Sequence, residues 1–193
     1  MEDRSAGLAA LIARAAQAGD ICILLAPSGP LSASGAAFVN RLHADLGGER
    51  VEPLHVTVDR VATEDAAALI RSVRDSLGRL RPASIGIDRL YFLPSQSRGP
   101  EIVKLEVGPD TVLDEDTNEL LAALRRCGLP SLYPDRPKPT ITTLQRVTRR
   151  DSVDPDVAGL PLELFVADLV IVSRIIGVAR YEILDSASIP AGG

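Results

Sequence analysis

The stretch from Ile85 to Val107 constrains the fold most. Ile85–Leu93 and Ile102–Val107 both have strand character, and a Pro/Ser/Gly turn lies between them. Strands joined so closely are antiparallel neighbours, because a parallel return needs a crossover of a dozen or more residues. The hairpin therefore argues against a doubly wound parallel sheet and for an α+β fold.

The elements around it fit the same mixed order. Ser5–Ala18 places Leu8, Leu11, Ile12 and Ala15 at helical spacing, with Gly19 as the stop. Ile21–Ala26 is a short apolar run closed by Pro27, Gly29 and Pro30, hence a buried strand. Gly35–Leu46 is again helical (Val39, Leu42, Leu46) and ends at Gly47-Gly48. Leu54–Val58 alternates apolar and polar residues as a strand does.

Thr63 is expected to cap a helix whose buried stripe is Ala66, Ile70, Val73, Leu77 and Leu80, with Glu64 and Asp65 at the positive end of its dipole. A further helix spans Asp114–Cys127, acids first and Arg125-Arg126 last. A proline-rich loop (Pro130, Pro134, Pro137, Pro139) leads to strands at Thr140–Val147, Leu162–Val172 and Arg180–Leu184. Thr148–Pro161 reads as a surface loop and Ser186–Gly193 as a tail that frays. No stretch has the character of an interdomain linker, so residues 1–193 are expected to form a single domain.

Charge and composition narrow the function. A net charge of −5 argues against wholesale binding of long nucleic acid, though not against a small basic cleft for one or two phosphates. Aromatic content of 3% makes an extended base-stacking platform a poor fit. The longest apolar run, Phe165–Ile176, is broken by Asp168, Ser173 and Arg174, so no membrane span is expected. The acidic start Met1-Glu2-Asp3-Arg4 is unlike a signal peptide, and the cytoplasm is the expected location. Cys22 and Cys127 lie among apolar residues and read as core rather than redox sites.

Chemistry concentrates at His55-Val56-Thr57-Val58-Asp59-Arg60. On a strand His55 and Thr57 share one face while Leu54, Val56 and Val58 pack inward. An imidazole beside a hydroxyl suits a phosphate: the ring moves a proton and the hydroxyl donates to a non-bridging oxygen. Taken alone, His-x-Thr also arises by accident in strands. Eighty-five residues on (140 − 55) stands Lys138-Pro139-Thr140-Ile141-Thr142-Thr143-Leu144, a second copy with threonine in the histidine position.

This pairing resembles the two-histidine phosphoesterases, which include the bacterial 2′-5′ RNA ligase-like proteins and the RNA 2′,3′-cyclic phosphodiesterases. The resemblance covers about residues 20–185. It implies two pseudo-symmetric lobes with antiparallel sheets lining a central cleft and helices outside, the strands after Leu169 closing the second lobe. It implies acid–base chemistry without metal or other cofactor, on an RNA end or small nucleotide bearing a cyclic phosphate or a 2′-5′ linkage, by a monomer. Carried over residue by residue, His55 and Thr57 match the first motif and Thr142 the hydroxyl of the second. Arg60 matches a basic residue three positions after the hydroxyl.

The copy departs from that pattern at Thr140, whose hydroxyl cannot exchange a proton near neutral pH as imidazole does. Arg146 falls one position late for a phosphate contact, with Gln145 in the expected place. Three readings stay open: a weakened or differently assisted enzyme, a module that binds phosphate or RNA ends without turnover, or an enzyme with another acid such as Tyr133 or Lys138. Lys138, Tyr133 and, despite its shifted position, Arg146 are also candidate phosphate contacts, and Arg149-Arg150 a solvated loop or cleft rim. Of Tyr91 and Phe92, alternating on a strand, one is core and the other free to stack on a base. His43 reads as a helix boundary residue. Two histidines and two distant cysteines offer zinc no ligand cluster, and Asp114-Glu115-Asp116 is explained by a helix start without Mg²⁺. Ala26–Pro30 lacks the Gly-Lys-Ser/Thr ending of a phosphate-binding loop.

Overall fold

A computed structural model describes residues 17–93, 101–129, 131–132, 139–149, 159–177 and 180–191. The helix expected over Ser5–Ala18 and most of the loop expected over Thr148–Pro161 lie outside the described residues.

The chain folds around β1 (Ile21–Ala26), whose six residues are all buried. It pairs antiparallel with β3 (Val56–Val61) on one side and β8 (Leu169–Gly177) on the other. A strand so enclosed buries both faces, which is why its sequence is an unbroken apolar run. β9 (Arg180–Ser188) extends this set beyond β8. A second set consists of β6 (Thr140–Val147), β5 (Glu101–Val107), β4 (Ala83–Leu93) and β7 (Leu162–Ala167), all antiparallel. The two-residue β2 (Glu49–Arg50) adds to β6. Both sets belong to one α+β sheet, joined between β3 and β6 through a single pair, Val56 opposite Ile141. These two residues are themselves eighty-five positions apart, as the two motifs are, so the seam lies on the approximate two-fold relating the halves.

Among the described residues three helices cover one face of the sheet. α1 (Ala33–Leu46) starts on Ser32, whose hydroxyl accepts the Gly35 N–H at 2.9 Å. Gly35 lies so close to β7 that a Cβ there would come within 2.6 Å of the Leu164 carbonyl oxygen. α2 (Ala67–Ser76) continues into a 3₁₀ turn, Leu77–Arg79, and packs on α3 (Thr111–Arg126). The main core lies between these helices and the sheet, with Leu42, Leu69, Leu120, Ile23, Val56, Leu105 and Ile141 among its buried members. On the opposite face a small cluster holds Cys22, Leu24, Ala26, Ile171 and Ile175. Among the described residues no helix is long and apolar enough to cross a membrane.

Several expectations are corrected. Leu162–Val172 is two strands, broken at Asp168, whose carboxylate accepts from the Ser28 N–H and hydroxyl. β8 and β9 complete the first motif's half and not the second, because β8 lies against β1. The tail is not frayed from Ser186: residues 186–188 pair with β8 and Ile189 is buried. Thr63 does not cap α2, which begins at Ala67 with the Asp65 carboxylate accepting the Ala67 N–H at 2.8 Å. α3 begins three residues before Asp114, capped by Asp110. His55 precedes β3 instead of lying on it.

Candidate functional site

On β3, Val56 and Val58 enter the main core while Thr57 faces the other way, opposite Leu24 of the small cluster. A bulge then intervenes. Ile23 faces Asp59 and Leu24 faces Thr57, so Val58 is the extra residue on β3. Beyond the bulge Arg60 lies opposite Cys22, two residues from Leu24 on the same face. The bulge is the reason that two residues three apart share a face, which regular alternation forbids. Arg60 is buried, and its Nε lies 3.1 Å from the Asp20 carboxylate. Breaking such a buried pair leaves a charge without compensation.

His55 sits at the seam end of this face, 1% exposed. Its Nδ1 is 2.6 Å from the Pro53 carbonyl oxygen. A carbonyl only accepts, so Nδ1 carries the proton and, in the neutral ring, the lone pair is on Nε2. Tyr181 of β9 meets the ring edge-on, centroids 5.0 Å apart. Burial pushes the imidazole pKa down to about 4; the bond to Pro53 opposes this and the charge of Lys104 adds to it. His55 is therefore neutral at physiological pH, the state a general base requires.

The second half presents a different set on the same side of the sheet. Ile141 and Leu105 enter the core, and Thr140 and Thr142 face away from it, opposite Glu106 and Lys104. Lys104 in turn lies opposite Tyr91 on β4. Its ammonium donates to the Thr140 hydroxyl at 3.4 Å, and the Tyr91 side chain hydrogen-bonds the same hydroxyl. Burial holds Lys104 below the usual lysine range, and the Arg60 charge lowers it further. Burial holds Tyr91 above its ordinary value, with Glu106 adding to the effect. Since Lys104 also acts on His55, it links the two halves electrostatically across the seam.

His55, Thr57, Arg60, Thr140 and Thr142 thus come together on one side of the sheet, with antiparallel extension of the Val56–Ile141 pair bringing His55 beside Thr142. Arg146 is not among them: it has φ 55°, is exposed, and its guanidinium is 2.8 Å from Glu49. Tyr133, Lys138 and Arg150 lie outside the described residues, while Arg149 donates to the Ala44 carbonyl at 2.7 Å. His43 is half-buried on α1, bonded to Arg50 and to the Gly48 carbonyl. Burial pushes the Cys22 thiol up to about 12, which leaves it a core residue with no thiolate chemistry. Cys127 ends α3, its Sγ within 3.4 Å of the Ala68 carbonyl oxygen. Among the described residues no group of three His, Cys, Asp or Glu side chains could hold a metal ion. A hollow of about 280 Å³ between the β1–α1 turn and β7 lies apart from this chemistry, and its carboxylate, Asp168, is engaged by Ser28.

Lys104 and Tyr181 escaped the sequence reading. The one available signal was alternation on β5, where Lys104 and Glu106 are the polar positions between buried Val103, Leu105 and Val107. That pattern ordinarily marks a solvated face.

No family model and no curated protein matches the sequence. Solved structures do match in fold. A Thermus thermophilus protein superposes with a TM-score of 0.61 at 16% identity, over 90% of this chain and all of that one. A structure described as a phosphoesterase gives 0.56 at 18% identity, over 90% of this chain and 99% of that one. Escherichia coli LigT bound to 3′-AMP gives 0.55 at 16%, with the same coverage. The two-lobed fold expected from the paired motifs is therefore the fold this chain has.

Proposed function

Taking the fold shared with LigT and the phosphoesterase as premise, we propose that this protein hydrolyses a 2′,3′-cyclic phosphate on a small nucleotide or RNA end, or a related 2′-5′ linkage, without metal. His55 is the general base. Its Nε2 takes a proton from the water that attacks phosphorus, while Thr57 and Thr142 donate to the non-bridging oxygens. The observation that carries this reading is the fixed tautomer: a buried, neutral imidazole held by the Pro53 carbonyl, beside two hydroxyls on one face. That LigT has been seen with 3′-AMP, ATP and NADP⁺ supports a nucleotide as the ligand class.

Thr140 favours a second reading, a binding module on the same fold, because a threonine hydroxyl supplies no proton exchange where the partner histidine would stand. Steady-state turnover of a nucleoside 2′,3′-cyclic phosphate, with calorimetric binding of the same compound, separates the two. Hydrolysis is expected in the wild type, with His55→Ala lowering kcat by about 10²–10⁴-fold. Binding without hydrolysis, with His55→Ala changing affinity alone, would establish the module instead.

A further inference from the structure

The second half lacks a histidine, yet its position is occupied. Thr140 is bracketed by the Lys104 ammonium and the Tyr91 side chain, and Lys104 stands directly across the ladder from the phosphate-facing Thr142. We infer that Lys104 is the acid of this site, held by Thr140 and Tyr91 where the absent histidine would act. The inference rests on the phosphoesterase reading and names the proton donor that reading leaves open.

The step balances without a cofactor. Water oxygen bonds to phosphorus as His55 Nε2 accepts one of its protons. The ring P–O bond breaks, and its electron pair goes to the leaving ribose oxygen, which receives a proton from Lys104 Nζ. The product is a phosphomonoester, and the proton on His55 returns to the neutral amine through solvent. Thr140 and Tyr91 are positioning residues: the Thr140 hydroxyl accepts from the ammonium and Tyr91 bonds that hydroxyl, and neither exchanges the proton itself.

An ordinary lysine holds its proton too tightly to donate it readily near neutrality. Here the half-buried ammonium faces Arg60 from β3, His55 from the seam, Tyr91 from β4 and Glu106 two residues away on its own strand. Burial and Arg60 together make it a better proton donor than a solvated lysine. Asp20 compensates part of the Arg60 charge.

Three variants test the assignment: Lys104→Gln, Lys104→Arg and Lys104→Gln with Thr140→His, each followed by kcat, calorimetric binding of the cyclic nucleotide and a pH profile. Lys104→Arg keeps the charge but has no proton to give near neutrality. Both single variants are expected to lose about 10²–10⁴-fold in kcat. Lys104→Arg is expected to keep wild-type binding, which also reports a folded cleft. The wild-type alkaline limb, lying below the ordinary lysine value of about 10.5, is expected to vanish in Lys104→Gln. The double variant should recover turnover with that limb moved toward the histidine range. If Lys104→Arg turns over as the wild type does, lysine is only a countercharge and the inference falls while the phosphoesterase reading stands. If the wild type binds but does not hydrolyse, or does neither, the phosphoesterase reading falls and takes this one with it.

Discussion

The two halves of the sheet share a register and differ in what they place on it. Thr57 faces Leu24, which faces Ile171; Thr142 faces Lys104, which faces Tyr91. The first wall is an apolar floor beside a neutral histidine, and the second a cationic and phenolic group around a threonine. Their core-facing residues remain of one kind, Val56 and Leu25 in one half and Ile141 and Leu105 in the other. Because the faces alternate along every strand, the fold depends on one set of positions and the chemistry on the other, so one wall can change its chemistry without disturbing the sheet.

Exchanging the floor residues tests that separation and should give the largest effect. Leu24→Lys places a second cation close to Arg60, in a fully buried position, and is expected to cost roughly 4 kcal/mol or more by urea denaturation. The reciprocal Lys104→Leu should be near neutral or stabilising, because apolar replacement relieves desolvation of the ammonium. A comparable loss in both would make Lys104 a structural residue and erase the contrast between the walls.

Asp20→Asn comes next. It removes the carboxylate from the buried Arg60 guanidinium and is expected to cost about 3 kcal/mol, read from the same denaturation midpoint. A loss well under 1 kcal/mol would mean that Arg60 finds equal compensation elsewhere.

The histidine gives the first wall a pH dependence in the acid range, whereas the shifted groups of the second, Lys104 and Tyr91, titrate in the alkaline range. Its folded pKa of about 4 lies below the unfolded 6.5, so between these values the unfolded chain binds more protons. Stability is full above pH 6.5 and falls as pH drops through about 4, by at most roughly 3 kcal/mol. Melting curves of wild type and His55→Gln should diverge across that window. Parallel curves would place the acid sensitivity in other groups.

Arg146→Ala sits at the small end, at about 0.2–1 kcal/mol, since an exposed pair contributes little. An equally small change in turnover is expected, because Arg146 points away from both walls.

The sequence exposed the fold where periodicity and chemistry agreed. The all-apolar β1, the hairpin of β4 and β5, and the strand carrying Thr57 could be placed from their residues. The break at Asp168 was hidden because β7 and β8 are both apolar and one residue separates them, so nothing local shows that they pair with opposite halves. The carriage of β9 past Ser186 was hidden too, because its small polar residues gain their place only from pairing with β8. At the site, the two threonines of the second copy were visible from the repeat. Lys104 was not, because a lysine on a strand looks solvated until the fold places Arg60 and Thr140 around it.

The pairing of β1 with β8 has a consequence for how the protein is made. Roughly 140 residues separate Ala26 from Leu169, about 7–30 s of synthesis at ~5–20 residues per second. Throughout that interval the most apolar strand of the chain has one hydrogen-bonding edge without its native neighbour, whatever else has formed. The ribosome therefore presents a long-lived sticky edge that stays open until β8 emerges to seal it. Yield in a cell should depend on holdase supply and elongation speed more than on the stability of the finished sheet.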